Sequence, residues 1–513
     1  MTERPWQCAF RWLSVSALAA FCLWRGVDAA SAYFGSEDAY SYLADWRSAA
    51  RSAPEGNLAL LCESAEDVSP IERSRLIAIS WERAPGAIDM VDAASSLDSV
   101  DCVLSSKWLP ASAGKKLADG GFSAVSTNGF VKTWARNGGV LRETGDCNRG
   151  KGVPSGARPC RFAIAPREVA ALAVELVLAV LVLGLALGLR DADRWPIAAA
   201  VVIAIVLGSV ALSHPLLPPN GLGTYGGKAK LLYECGEFPR AFMQSAAGKV
   251  LQPSYPPGLA LLAYLHFALS GCCGDRLVQV LVVIAMAGVI LALLRKSSCP
   301  WDALPVALFC LSPVAIRMTA GFYAEPFAAL VLLIGWNMAG RGRRFAGAFV
   351  MGLAGLFRPE AGVVAAVFAA GVCTTGCRCR ERLAALAAAV APAVAWNAIC
   401  GALGWEALPD WDVDTAPKFA QVVYAACSEA KSLGLLVLPV AAVAFLVRPV
   451  CRMRLCTNAA RAFVPMALLL LAVPAACGFY VSPHAEWMVD NTIPRLVWYV
   501  SAVPLSGLLA SRS

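Results

Sequence analysis

Four cationic side chains at widely separated positions lie in motifs that suit the binding of a phosphate group. Lys228 and Lys230 open the segment KAKLLY, Arg358 lies in FRPE, and Arg495 lies in NTIPRL. An ammonium group meets phosphate as a point charge, and a guanidinium can bind it with two parallel hydrogen bonds. Alternatively, the lysines and Arg495 anchor the chain at lipid headgroups, and Arg358 only pairs with Glu360.

Carboxylates and a tyrosine accompany these cations. Glu325 lies in GFYAEP at the start of an apolar run, Glu360 follows Arg358, and Tyr255 lies in SYPPG before another apolar run. A carboxylate at such an edge is costly unless it is hydrated, paired or functional. Glu325 is therefore a candidate acid or base, with a solvated side chain as the alternative. Glu175, inside a further apolar run, is either a buried pair partner or an acid beside a cavity.

Metal-binding patterns are weak in this chain. The segment PDWDVDTAP places Asp410, Asp412 and Asp414 at alternate positions, where they could hold a hard divalent ion, although the glycine and distal glutamate of a calcium loop are missing. The 19 cysteines show no zinc-type spacing. We therefore predict no certain cofactor or metal site, and a divalent metal at the three aspartates stays open beside the simpler interpretation of a solvated loop.

Composition indicates a membrane protein. Of the 513 residues, 58% are hydrophobic and 16% are charged, and the mean hydropathy is +0.59. Several runs reach the roughly 20 residues that cross a bilayer core. The net charge of +8 comes largely from short Lys and Arg clusters between apolar runs, where such clusters set membrane topology. We therefore expect contact with the lipid bilayer and no nucleic-acid partner.

The apolar runs predict an α-helical polytopic membrane protein with about eleven to thirteen membrane segments. The runs are 12–24, 169–189, 196–212, 277–294, 303–316, 322–339, 345–357, 361–373, 383–400, 433–447, 462–480 and 496–510. The run 258–269 is too short for a confident span, so we expect it to lie at the interface or to dip into the bilayer and return. Basic clusters retained in the cytoplasm place the candidate site residues together on the opposite, extracytoplasmic face.

Three regions follow from this pattern. Residues 1–30 are predicted to be a signal-anchor or first transmembrane helix, and residues 31–166 a small exported soluble α/β domain. Residues 167–513 form the multi-spanning membrane domain, with a long exported loop at 214–257. Within 31–166, short apolar runs at 58–61, 76–79, 100–104 and 122–125 suggest strands, and 111–118 suggests a helix that ends at two glycines.

The order of these motifs resembles the GT-C superfamily of polytopic glycosyltransferases, bacterial enzymes that use polyprenyl-phosphate sugars at the outer face of the inner membrane. The resemblance covers roughly 169–513. It rests on KAKLLY followed by YPPG, on YAEP, on RPE and on NTIPRL before a terminal run. It implies an inner-membrane, multi-pass protein that takes a polyprenyl-phosphate sugar donor and a glycan, lipid or protein acceptor.

The same resemblance implies an inverting transfer, in which a loop carboxylate removes the acceptor's proton while cations hold the departing phosphate. In this chain, Asn220 stands about eight residues before Lys228, where such proteins tend to carry the acid. Asparagine cannot accept the proton. Either Glu325, Glu234 or Glu237 is the base, or the site is degenerate.

Two other functions remain as alternatives. A transporter or flippase of lipid-linked glycan would also need a cavity and phosphate-binding cations, but it predicts ionisable residues deep within several spans, and the apolar runs carry few. No internal repeat supports it. A non-catalytic membrane scaffold that presents the region 31–166 is the third interpretation.

Overall fold

The computed structural model describes most of the predicted membrane domain and part of the region before it. The described residues are 45–50, 52–53, 58–61, 75, 88–91, 97, 100–106, 111–128, 131–136, 166–187, 194–212, 216, 220–244, 248, 251–295, 303–372, 379–405 and 493–510. The predicted first segment, the runs 433–447 and 462–480, and Asp410, Asp412 and Asp414 lie outside them.

A five-stranded mixed sheet contains three of the strands predicted within 31–166, at 58–61, 100–104 and 122–125, and two strands that were not predicted, Ile88–Val91 and Val131–Arg136. Its strands, in the order β2-β1-β3-β5-β4, are β1 (Leu58–Leu61), β2 (Ile88–Val91), β3 (Cys102–Ser106), β4 (Phe122–Asn128) and β5 (Val131–Arg136). β1 pairs in parallel with β2 and β3, and β5 pairs antiparallel with β3 and β4. Helix α1 (Ala111–Asp119) ends before Gly121, whose φ of +82° suits glycine. The run 76–79 lies outside the described residues.

The sheet buries both faces, and one of them packs on the predicted loop. Ala59 on β1 and Val103 on β3 face α1, whereas Leu58 and Leu60 join a buried cluster that also contains Tyr225. This alternation follows the two-residue period of a strand. An ion pair of 2.8 Å between the Arg47 guanidinium and the Asp275 carboxylate adds a second contact. The sheet and the loop therefore share one hydrophobic core.

The rest of the described chain is helical and compatible with a helical membrane protein. Three of its helices are long and apolar enough to cross a bilayer: α2 (Pro166–Leu187), the continuous helix Leu277–Leu294, and α13 (Cys379–Leu403). A fourth candidate is the pair α9 (Pro313–Ala320) and α10 (Glu325–Gly340), bent by 112° at a short break. The expected total of eleven to thirteen segments stays a prediction.

The remaining helices largely follow the apolar runs. They are α3 (Arg194–Leu212), α4 (Lys228–Cys235), α5 (Arg240–Gln244), α6 (Gly258–Ser270), α7 (Val280–Leu294, the α-helical part of Leu277–Leu294), α8 (Ala303–Cys310), α11 (Arg344–Gly352), α12 (Ala361–Val372) and α14 (Ile493–Ala510). The outward faces of α2 and α3 expose large apolar side chains such as Leu185 and Ile205. Such faces suit contact with lipid chains.

The segment 214–257 differs from the long irregular loop expected from its glycines and prolines. Asn220–Gly227 forms a π-helical segment that continues directly into α4, and α5 follows. Leu222, Tyr225 and Leu231 are buried against the core shared with the sheet. Burial of these apolar side chains outweighs the low helix propensity of the glycines. Residues 220–244 are therefore a folded part of the protein.

Candidate functional site

The guanidinium of Arg358 is the centre of a buried group of charged side chains. Its Nε and Nη2 donate to Glu360 Oε1 at 2.6 Å and 2.5 Å. Its Nη1 donates to the Tyr255 hydroxyl and lies 3.4 Å from Glu325 Oε1. Every nitrogen of this guanidinium therefore contacts a protein oxygen. In this arrangement Arg358 organises its neighbours, and a phosphate would have to displace one of them.

Glu325 joins two arginines that are far apart in the chain. Arg495 Nη1 donates to Glu325 Oε1 at 3.0 Å, and the Arg495 guanidinium lies 4.3 Å from the ring centroid of Tyr323. Glu325 is fully buried, and Arg358 and Arg495 are nearly so. Buried charges of this kind persist only when they are paired and hydrogen-bonded. The pairing explains how a carboxylate at the edge of an apolar helix is tolerated.

Local structure explains why these side chains meet. Glu325 is the first residue of α10, where the helix dipole favours a negative charge. Arg495 lies in the first turn of α14, where a cation is unfavourable unless an anion neutralises it, and Glu325 does so. Trp498 fixes α14 by stacking on Phe309 at 4.7 Å and donating to its carbonyl oxygen.

Close approach of two backbone segments brings Tyr255 to Arg358. Gly258 begins α6, and a Cβ atom there would lie 2.6 Å from the carbonyl oxygen of Leu356. Only glycine therefore lets SYPPG pack this tightly. Trp396 on α13 holds the same turn by donating to the Ser254 carbonyl oxygen at 2.8 Å.

Lys228 is the one cation of this group that has no carboxylate. Its Nζ donates to the Tyr255 carbonyl oxygen at 2.8 Å, and among the described residues no carboxylate forms an ion pair with it. Lys228 is 1% exposed. Burial lowers the pKa of its ammonium from 10.5 to about 7. A bound anion would stabilise the charged form and restore a higher pKa.

Three oxygen atoms of the group have no hydrogen-bond partner among the residues that the structure describes. They are the Tyr225 hydroxyl, Glu325 Oε2 and Glu360 Oε2. The Tyr225 ring packs edge-on against the Tyr255 ring at 6.0 Å. Burial raises the pKa of the Tyr225 hydroxyl well above its ordinary value, so the phenol stays protonated and can donate. Native proteins rarely leave buried polar atoms unpaired, so these three are candidate ligand contacts.

We call this set the Arg358 cluster. It consists of Tyr225, Lys228, Tyr255, Glu325, Arg358, Glu360 and Arg495. The structure thus unites six residues that the sequence singles out with one that it does not. Tyr225 was missed because it lies among glycines, in GTYGG, without a charged neighbour. Its position in a Gly-rich stretch just before the KAK lysines was the available signal.

Two of the predicted residues form a separate pair. Lys230 Nζ lies 3.4 Å from Glu234 Oε1 on α4, and their side chains are 12% and 37% exposed. One helical turn apart, they face each other along the helix. Asn220 begins the π-helical segment, and its side chain lies outside the described part of the structure.

A second buried polar contact lies between α2 and α6. Glu175 Oε2 is 3.0 Å from His266 Nδ1, and both side chains are buried. Of the two sequence interpretations of Glu175, the structure shows the buried pair partner. His266 was missed because a single histidine in an apolar helix gives no spacing signal. Its Nε2 has no hydrogen-bond partner in the described residues.

No group of three or more His, Cys, Asp or Glu side chains within the described ranges is placed to hold a metal ion. No family model, curated protein or solved structure matches the chain.

Proposed function

We propose that this protein is a membrane glycosyltransferase of the GT-C type, which transfers a sugar from a polyprenyl phosphate to an acceptor at the outer face of the inner membrane. One observation carries the proposal: the Arg358 cluster contains three basic side chains and two carboxylates, and the buried Lys228 is the cation for which the described residues supply no carboxylate. A buried ammonium without a counterion calls for an anionic ligand. A lipid phosphate supplies that charge.

The cluster offers a group for each step of an inverting displacement. The acceptor oxygen attacks the anomeric carbon, and its proton passes to Glu325 Oε2, the carboxylate oxygen without a protein partner. The bond from the anomeric carbon to the phosphate oxygen breaks, and the phosphate leaves with the electron pair. Lys228 neutralises the charge that builds on it. Arg358 and Arg495 orient Glu325 through its other oxygen.

Convergence around one ring supports these roles. The Lys228 ammonium lies 6.0 Å and the Arg358 guanidinium 5.4 Å from the ring centroid of Tyr255. The Tyr255 ring therefore lies close to both the phosphate-binding cation and the guanidinium that holds Glu325. Under this proposal the region 31–166 is exported together with the site, and its sheet supports the helical segment that carries Tyr225 and Lys228.

A transfer assay with purified protein in detergent tests the proposal. Wild-type protein should transfer sugar from at least one of a panel of polyprenyl-phosphate sugars. Glu325→Gln should lower the rate by about 10²- to 10⁴-fold, because the amide cannot accept the proton. Glu234→Gln, a carboxylate change on the exposed face of α4, is the matched control and should leave the rate within twofold of wild type.

The Asn220→Asp variant decides between an intact and a degenerate site. Transfer by wild type with no gain in Asn220→Asp assigns the base to a residue already present. Inactive wild type and active Asn220→Asp would show that catalysis has been lost by this chain. If neither wild type nor Asn220→Asp transfers sugar from any donor, the proposed reaction is contradicted.

A flippase of lipid-linked glycan is a second candidate, and the buried Glu175–His266 contact favours it. Transporters place ionisable pairs within their helices. Movement of a fluorescent polyprenyl-phosphate lipid between leaflets of proteoliposomes, abolished by Glu175→Gln and unaffected by Glu325→Gln, would replace the transferase proposal.

A further inference from the structure

The unpartnered oxygens at the edges of the Arg358 cluster define the chemistry of a second group on the ligand. Glu360 Oε2 can only accept a hydrogen bond, and the protonated Tyr225 hydroxyl can donate or accept one. A phosphate cannot satisfy Glu360 Oε2, because it presents oxygens and no donor. A cationic group is disfavoured, because the cluster already carries more basic than acidic side chains. Neutral hydrogen-bond donors remain, and among them the hydroxyl groups of a sugar can also accept from Tyr225.

We propose that Glu360 and Tyr225 form a hydroxyl-binding subsite that recognises the sugar of a lipid-phosphate donor beside the phosphate held by Lys228. The inference rests on the proposed function and assigns two residues to sugar recognition. Glu360 is held rigidly, since Arg358 Nε and Nη2 both bond its Oε1 and leave Oε2 free. Tyr225 is held by edge-on ring contacts with Tyr255 and Phe322, at 6.0 Å and 6.4 Å.

The placement of the two oxygens suits a ring that carries several hydroxyls. Glu360 contacts one edge of the Arg358 guanidinium, and the other edge contacts Tyr255, against which the Tyr225 ring packs. Glu360 and Tyr225 therefore belong to different parts of the cluster, one bonded to Arg358 and the other packed on Tyr255. A ligand hydroxyl can donate to the Glu360 carboxylate, and a ligand hydroxyl can accept from the Tyr225 hydroxyl. A pentose or hexose presents hydroxyls around its ring and can satisfy both.

Preorganised partners of this kind give specificity. A site built to hydrogen-bond a hydroxyl rejects a ligand without one, because its own buried polar groups are then left unpaired. Within the described part of the chain neither oxygen has a partner, so a sugar-bearing lipid should bind more tightly than the same lipid phosphate without sugar. The difference between these two affinities measures the contribution of the sugar contacts alone.

The test compares binding of two kinds of probe to the full-length protein in detergent. The first is a prenyl methyl phosphodiester, and the second is a panel of the same prenyl phosphate esterified with glucose, galactose, mannose or arabinose. Wild-type protein should bind at least one sugar ester more tightly than the methyl ester. Tyr225→Phe should reduce the ratio of sugar-ester affinity to methyl-ester affinity by about 3- to 10-fold while leaving the methyl-ester affinity unchanged. Glu360→Gln should reduce it at least as much.

Tyr225→Phe is the decisive variant because its hydroxyl has no protein partner in the described residues, so its removal should not destabilise the free protein. If Tyr225 had only a structural role, the Tyr225→Phe protein would be less stable than wild type and would keep the wild-type preference for the sugar ester. Methyl-ester binding without preference for any sugar ester, or an equal preference in both variants, would overturn the subsite and leave the phosphate site standing. Absence of binding by the methyl ester and by every sugar ester would overturn the proposed function itself, and the subsite with it.

Discussion

Two lysines of α4 stand two residues apart and have opposite surroundings. Lys228 is buried, donates to the Tyr255 carbonyl oxygen and has no carboxylate partner among the described residues, whereas Lys230 is partly exposed and pairs with Glu234. Both belong to the motif KAKLLY, and both are candidates for the same phosphate. A shift of two positions turns a helical side chain to a different face. The face, rather than the residue type, decides which cation needs a ligand.

The largest expected effect concerns the contrast between the Arg358 cluster and the Lys230–Glu234 pair. Arg358→Met should lower the free energy of unfolding by about 3 to 5 kcal/mol, because it leaves the buried Glu360 carboxylate without its cation. Lys230→Met, the matched control, should change it by no more than about 0.5 kcal/mol. Chemical denaturation of both variants in one detergent measures the difference.

A double variant checks that the loss comes from an unpaired charge. Arg358→Met combined with Glu360→Leu removes both partners and should recover much of the stability. Equal destabilisation by Arg358→Met and Lys230→Met would show that the cluster is hydrated in solution, and the contrast between the two regions would then disappear.

Sequence reasoning predicted the helices that coincide with apolar runs, three of the five described strands and six of the seven members of the Arg358 cluster. Apolar runs longer than a few turns marked α2, α3, α7, α12 and α13, because a bilayer or a core requires continuous apolar surface. Charged residues at the ends of such runs marked Glu325, Arg358 and Arg495, because unpaired charge is costly there.

What the sequence could not show was which charges pair. Glu325 contacts Arg495, 170 positions away, and Glu175 contacts His266, 91 positions away. Periodicity reports the face of one helix and carries no information on its neighbour across the fold. The helical structure of 220–235 was missed for a related reason, since its glycines predict a loop and only burial against the sheet overrides them.

The second prediction compares the two lysines directly. Lys228→Met should weaken binding of a prenyl methyl phosphodiester by about 10- to 100-fold, as expected for one charge-assisted hydrogen bond in a buried site. Lys230→Met should weaken it by less than threefold, because Lys230 is partly exposed and paired with Glu234. Equilibrium binding at pH 6.5 measures both. A larger loss in Lys230→Met would move the phosphate to the outer face of α4.

The smallest expected effect is a pH dependence that only the buried lysine should produce. Burial lowers the pKa of Lys228 to about 7, so the free protein loses this charge as the pH rises through 7. Binding a phosphodiester above that pH requires uptake of a proton, and the apparent affinity should fall by up to tenfold for each further pH unit. A phosphodiester is the suitable probe because, unlike a phosphomonoester, it has no ionisation near pH 6.

In Lys228→Arg the affinity should stay constant from pH 6.5 to 9, since a guanidinium remains charged throughout, and Lys230→Arg should keep the wild-type profile. A flat wild-type profile would mean that Lys228 is hydrated or paired in solution, and the difference between the two lysines would then be one of position alone.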